Sequence, residues 1–227
     1  MEYEKPEERL QAWGIASTIV VIGSARVAPK VLINEDPSSA PLQGNTERLP
    51  TAEWYEQARQ FARIASERGG ALTPVNGLRH NVIATGGGPG IMEAANRGAS
   101  DAGAPSIGFN IKLPQEQAPN IYSTPDLTFR FQYFAMRKIH LAKRARALVV
   151  FPGGFGTLDE MFEILNLIRT RRTPTIPILC YDRSYWKQVV DFQSLANHNM
   201  IDSSDLDTLC FADDAEEAWD ALISRGL

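Results

Sequence analysis

The sequence has only two cysteines, three histidines and no long hydrophobic run, and each shortage removes a class of function. Cys180 and Cys210 sit on apolar stretches and form neither a C-x-x-C nor a metal-finger spacing. A reduced thiol pair without chemistry is the expectation, not a disulfide framework. His80, His140 and His198 are far apart and no H-E-x-x-H occurs, so no metal and no cofactor are expected. No run approaches the roughly 20 apolar residues of a membrane span. The amino-terminal stretch MEYEKPEERLQAWG is charged and lacks the apolar centre of a signal peptide. A cytoplasmic location without a membrane partner is the default. The formal net charge is −4 and the isoelectric point is near 5.5, which gives no general attraction to a nucleic-acid backbone, so no nucleic-acid partner is expected.

What is present suits an enzyme core. A chain of 227 residues with 44% hydrophobic content can fill one substantial α/β domain. Short β-branched runs ending in glycine or a polar turn recur at 18–23, 81–86, 106–111, 147–151 and 175–181, and read as buried parallel strands. Amphipathic helical stretches fall at 52–68, 91–102, 131–146 and 158–171, with further helices over 185–197 and 214–224. This alternation predicts a single Rossmann-like domain over 1–227, with a doubly wound parallel sheet and ligands at the carboxyl ends of its strands. Two segments interrupt it. Residues 26–50 read as a long surface loop, and 113–128 as a proline-broken substrate loop hanging over the ligand face.

The glycines cluster on that face. Thr85-Gly86-Gly87-Gly88-Pro89-Gly90 ends one strand and opens the helix IMEAANRGA, where glycine permits close backbone approach and free helix N–H groups attract an anion. A bare strand-to-helix turn explains the run equally well. A second loop, Phe151-Pro152-Gly153-Gly154-Phe155-Gly156-Thr157, repeats the arrangement, with Thr157 placed to cap the following helix. The turn Gly23-Ser24-Ala25-Arg26 closes the first strand and could add hydrogen bonds to phosphate or sugar. Neither glycine loop fits G-x-G-x-x-G and no Gly-Lys dipeptide occurs, which speaks against dinucleotide and Walker-type ATP sites. A small ligand with one phosphate fits better.

Four motifs, GGGPGIMEAANRGA at 86–99, LPQEQAPN at 113–120, FRFQYFAMRK at 129–138 and PGGFGTLDEMFE at 152–163, together resemble the LOG (Lonely Guy) family of phosphoribohydrolases, particularly its longer bacterial branch. The likeness runs from about Ile19 to Asp191. It implies hydrolysis of the N-glycosidic bond of a nucleoside 5′-monophosphate, an N6-substituted AMP of the cytokinin type or AMP itself, to free base and ribose 5-phosphate. It implies Arg137 and Glu160 as catalytic residues. Substrate or phosphate contacts would come from Gly23, Ser24, Gly87, Gly88, Gly90, Met136, Lys138, Gly153, Gly154, Gly156 and Thr157. It also implies a homodimer or an assembly of dimers. Shorter members carry Met-His where this chain has Phe134-Ala135, a departure that bears on base specificity.

The residues themselves leave alternatives. Thr157-x-x-Glu160 is also the spacing of a structural capping box, and Arg137 belongs to a basic run with Lys138, Lys143, Arg144 and Arg146 that could be a solvated face. Phe129, Phe131, Tyr133 and Phe134 suit a core or subunit contact better than base stacking. Members of the family often carry the label lysine decarboxylase. Pyridoxal-phosphate chemistry needs a Schiff-base lysine with a partner for the pyridine nitrogen, and the six lysines offer no convincing set. A non-catalytic nucleotide-binding protein of the same fold is the competing reading.

Overall fold

The computed structural model describes residues 2–29, 51–112 and 118–227. Most of the expected 26–50 loop and the first part of the expected 113–128 loop lie outside the described residues. Seven strands form one sheet: β1 (Thr18–Ile22), β2 (Val82–Thr85), β3 (Ser106–Ile111), β4 (Thr128–Phe131), β5 (Ala145–Val150), β6 (Ile178–Tyr181) and β7 (Leu209–Ala212). Their order is β4-β3-β2-β1-β5-β6-β7, and every neighbouring pair is parallel. This is a Rossmann-like α/β fold.

The central strand TIVVI is buried along its whole length, as a strand covered on both faces must be. Its residues still alternate. Ile19 and Val21 join one core with α2 (Thr51–Arg68), α3 (Ile91–Asp101) and α8 (Ala215–Ile223). Val20 and Ile22 join the other. That second core holds Leu10 of α1 (Glu4–Ala12), Leu141 of α4 (Phe134–Lys143) and Met161 of α5 (Phe155–Arg169). It also holds Trp186 of α6 (Arg183–Val189) and Phe192 of α7 (Phe192–Asn197). Cys180 and Cys210 are buried in opposite cores.

The chain winds outward from β1 to β4, returns to place β5 on the other side of β1, and continues to β7. The reversal beside β1 leaves a crevice at the carboxyl ends of β1 and β5, the usual ligand position of such sheets.

Several elements differ from the sequence-based expectation. The stretch expected as a helix from residue 131 is strand β4 up to Phe131 and helix α4 only from Phe134. Phe129 and Phe131 pair with Phe109 and Ile111 of β3 and bury their rings, a packing gain that overrides the helical reading. The expected helix over 185–197 is two helices. Val190 is extended, and Asp191 caps α7 by accepting the Ser194 N–H. Helix α1 and strand β7 complete the second core and the sheet edge.

Candidate active site

Three loops meet at the crevice. Gly23 ends β1 so close to α3 that a Cβ there would fall 2.8 Å from the Ile91 side chain, and only hydrogen fits. The Ser24 N–H donates to Pro152 O at 3.0 Å, and Ile91 N–H donates to Ser24 O at 3.1 Å. Gly90, at φ +72°, is packed against the backbone of Ser24 and Ala25. The first turn is thereby locked between the two glycine loops.

That locking changes what the first glycine loop offers. Gly87 N–H donates to Thr85 Oγ1 at 2.9 Å, Pro89 has no N–H, and the Ile91 N–H is taken by Ser24. Two of the donors expected to attract an anion there, Gly87 and Ile91 N–H, are spent on protein acceptors. Gly87 lies against the Asn110 amide and Gly88 against Met92. Neither lines the crevice, and neither does Gly90; Gly86 does.

The second loop is different. Gly154 is the N-cap of α5 with no side-chain cap, and both Thr157 and Leu158 N–H turn back to Gly154 O at 3.0 Å. Phe155 and Gly156 are the first two helical residues, whose N–H groups have no intrahelical acceptor. A side chain at Gly154 or Gly156 would meet no neighbouring atom, so the backbone stands open to the crevice. Thr157 is not the cap; it is the third helical residue, buried, with its hydroxyl against Gly153. This helix end has the donors and dipole to hold an anion.

Arg137 and Glu160, on helices flanking β5, come together beside it. Arg137 Nη2 donates to Glu160 Oε1 at 2.5 Å, and the two side chains are 15% and 10% exposed. Glu160 sits in the second turn of α5, because the helix starts at Phe155, so the capping-box reading does not apply. Burial raises the Glu160 carboxyl above its ordinary 4.5, against the opposing pull of Arg137. Arg137 Nε is buried without a protein partner, and the Phe134 ring lies over the guanidinium at 5.2 Å. The pair lines one end of a crevice of about 870 Å³. Such an arrangement can hold a carboxylate and a cation against a reacting centre with little bulk water.

Not every expected residue is there. Consecutive helical residues point about 100° apart, so Met136 and Lys138 cannot share the direction of Arg137. Met136 packs on the second core, and Lys138 Nζ pairs with Asp159 at 2.8 Å and Glu163 at 2.9 Å. The aromatic group splits. Phe129 and Phe131 are core, whereas Tyr133 and Phe134 are exposed and Phe134 lines the crevice. His140 is buried, with its ring beside Phe109 and Phe131. Trp54 and Tyr185, not anticipated as site residues, also line the crevice, edge to face with centroids 5.7 Å apart. Tyr185 Oη donates to Gly153 O at 2.7 Å, bracing the second loop. The available signal was that Tyr185 follows the carboxyl end of β6, on the ligand side of the sheet.

The doubly wound parallel sheet defines a Rossmann-like protein, and the open helix N-terminus with the buried arginine–glutamate pair at its switch point is its candidate site. The chain belongs to the LOG-type family whose model is described as possible lysine decarboxylase, matched over residues 92–222. That span includes Arg137 and Glu160. Among curated proteins it is similar to the pyrimidine/purine nucleotide 5′-monophosphate nucleosidases of Escherichia coli K12 and O157:H7, each 30% identical over 106 residues. Those matches cover 40% of this chain and 22% of each relative, so the match spans about a fifth of their length. Among solved structures, one named TM1055 aligns with a TM-score of 0.59 at 21% identity, covering 92% of this chain and 99% of that one. The molybdenum cofactor binding protein of Rippkaea orientalis aligns at 0.55 and 17% identity, covering 93% and 96%. Both share the fold. No helix among the described residues is long and apolar enough to cross a membrane.

Proposed function

We propose that this protein hydrolyses the N-glycosidic bond of a nucleoside 5′-monophosphate, releasing the free base and ribose 5-phosphate. The observation that carries the reading is the buried Arg137–Glu160 pair set one to two turns from the open N-terminus of α5. The phosphate would lie on the Phe155 and Gly156 N–H groups, which places the ribose beside Glu160 and the base toward Phe134 and Met92.

Cleavage at C1′ builds positive charge on the sugar, and an ionised Glu160 faces that charge. As the C1′–N bond breaks, a water oxygen bonds to C1′ and gives its proton to Glu160. The departing base keeps the bond's electron pair and takes a proton from solvent, and Glu160 releases the water's proton to solvent to regain its charge. Arg137 stays charged throughout; it orients the carboxylate and can hydrogen-bond the leaving base. A Schiff-base mechanism lacks its nucleophile, because no lysine lines the crevice among the described residues.

Apolar Met92, Ile111 and Phe134 on the base side suit stacking more than edge-by-edge reading, which favours ordinary purine nucleotides such as AMP together with N6-substituted ones. The test is incubation with AMP and isopentenyladenosine monophosphate, followed by chromatography for free base. Release from either supports the reading. Binding of AMP without release of base from any monophosphate offered replaces it with a nucleotide-binding role. The cytoplasmic site of action and an assembly of dimers remain part of the proposal, tested by fractionation and by light scattering.

A further inference from the structure

The first glycine loop is held by a buried polar network that decides where its peptide planes point. Asn96 is fully buried. Its Oδ1 accepts from Thr85 Oγ1 at 2.7 Å and from Asn120 Nδ2 at 3.0 Å, and its Nδ2 donates to Ser106 Oγ at 2.9 Å. Asn120 grips the loop itself, its N–H donating to Gly87 O at 2.9 Å and its Nδ2 to Gly88 O at 3.1 Å. Tyr122 and Ser123 N–H both donate to Asn120 Oδ1, which fixes the amide's orientation. Seven hydrogen bonds therefore build the network, and two of them end on the glycine carbonyls, more than a plain turn needs.

The consequence follows from peptide geometry. No peptide bond among the described residues is cis, and in a trans unit the C=O of one residue points opposite to the N–H of the next. Gly87 N–H points inward to Thr85 Oγ1, whose residue is fully buried. The Gly86 carbonyl therefore points away from the buried Thr85 hydroxyl. Gly86 lines the crevice, and a Cβ built on it would lie 3.7 Å from Arg137 Nη1. The Gly86 backbone thus lies between Met92 and Arg137 on the crevice wall, and its carbonyl is an acceptor that the open helix N–H groups of the second loop do not provide.

We propose that Gly86 O accepts a hydrogen bond from a ribosyl hydroxyl of the ligand, and that Thr85 and Asn120 are positioning residues that aim it. The proposal rests on the nucleotide reading above and adds a preference for ribose over deoxyribose. Base amines also donate, and Gly86 packs against Met92 on the base side; equal binding of the deoxy analogues would assign the carbonyl to the base instead.

The test uses calorimetric binding of AMP, 2′-deoxy-AMP and 3′-deoxy-AMP to Glu160→Gln protein, so that turnover does not consume the ligand. At least one deoxy analogue should bind on the order of ten-fold more weakly, the loss expected when a buried acceptor goes unmet. Adding Thr85→Val, which removes the acceptor for Gly87 N–H, should bring that ratio toward one, and Thr85→Ser should restore it. If Thr85→Val does not fold, Asn120→Asp replaces the donor facing Gly88 O with a repelling oxygen and should have the same effect. A purely structural role would lower the melting temperature and leave the ratio untouched, which overturns the proposal. Equal binding of all three nucleotides with Thr85 intact also overturns it, as does no binding of AMP. Discrimination without base release from wild-type protein leaves this inference standing and defeats only the hydrolase reading.

Discussion

Replacing Glu160 by glutamine separates the two halves of the argument, because the structure predicts a large effect on turnover and a small one on stability. The carboxyl is pushed above its ordinary 4.5, so burial costs its ionised form more than Arg137 returns. A neutral amide of the same size escapes that cost and can still accept from Arg137 at the position Oε1 now holds. Arg137 loses its countercharge, which opposes the gain. We expect a net change in folding free energy within about 1–2 kcal/mol, well below the 3–5 kcal/mol of a buried pair broken outright. Turnover has no such compensation. Glutamine neither faces the cationic sugar with a charge nor takes the proton of water, and the expected loss is about 100-fold or more, equivalent to about 2.7 kcal/mol of transition-state stabilisation. Single-turnover base release, measured well below the melting temperature of both proteins, reads this directly. Wild-type release by a folded Glu160→Gln protein would refute the mechanism.

The same raised carboxyl sets the pH dependence: kcat/KM should fall on the acid side with a midpoint above 4.5, and a midpoint at or below it contradicts the assignment. For stability the sign is reversed, since the folded state holds the Glu160 proton more tightly than the unfolded state; stability should decline as pH rises from 4.5 through the folded value, and less so in Glu160→Gln. Gly154→Val should fold normally, its side chain meeting nothing, yet weaken AMP binding about ten-fold or more by blocking the α5 backbone; unchanged affinity counts against the phosphate position. On the far side of α4, Glu7 bonds Arg144 and Lys143 at 2.8–3.0 Å, and chiefly the Arg144 hydrogen bond holds its carboxyl down at about 2. Its contribution is present above the unfolded 4.5 and lost as pH falls toward 2, so Glu7→Gln should cost about 1–2 kcal/mol at neutral pH and progressively less in urea titrations at lower pH.

Much of the fold was legible because parallel strands buried on both faces are written as short β-branched runs, and TIVVI or ALVV admits few other readings. The edges were harder to read. Thr128–Phe131 has only four residues, too short for periodicity to tell a strand from the start of a helix, and its assignment comes from pairing with β3. Arg137 and Glu160 were nameable from motif, but their meeting was not, since residues 23 apart on two helices are brought together only by the crossing of β5. Trp54 and Tyr185 carried no motif and reach the site from opposite sides of the sheet's carboxyl edge.

The two glycine loops show where sequence reading stops for a physical reason. Both run from a strand through consecutive glycines into a helix, and both therefore suggest an anion cradle. Glycine content fixes only what the backbone is permitted to do; the direction of each peptide plane is chosen by what else bonds to it. At 153–156 little does, and the first helical N–H groups stay open. At 86–91, Thr85 takes the Gly87 N–H, Ser24 the Ile91 N–H, and Asn120 the Gly87 and Gly88 carbonyls. Ser24 and Asn120 lie more than 30 residues away along the chain. Equivalent sequence signals thus yield open helix N–H groups at 155–156 and, by the proposal above, an acceptor at Gly86, both on the crevice that Glu160 lines. A phosphate needs the first and a sugar hydroxyl the second, so the pair suits a phosphorylated sugar better than either loop would alone.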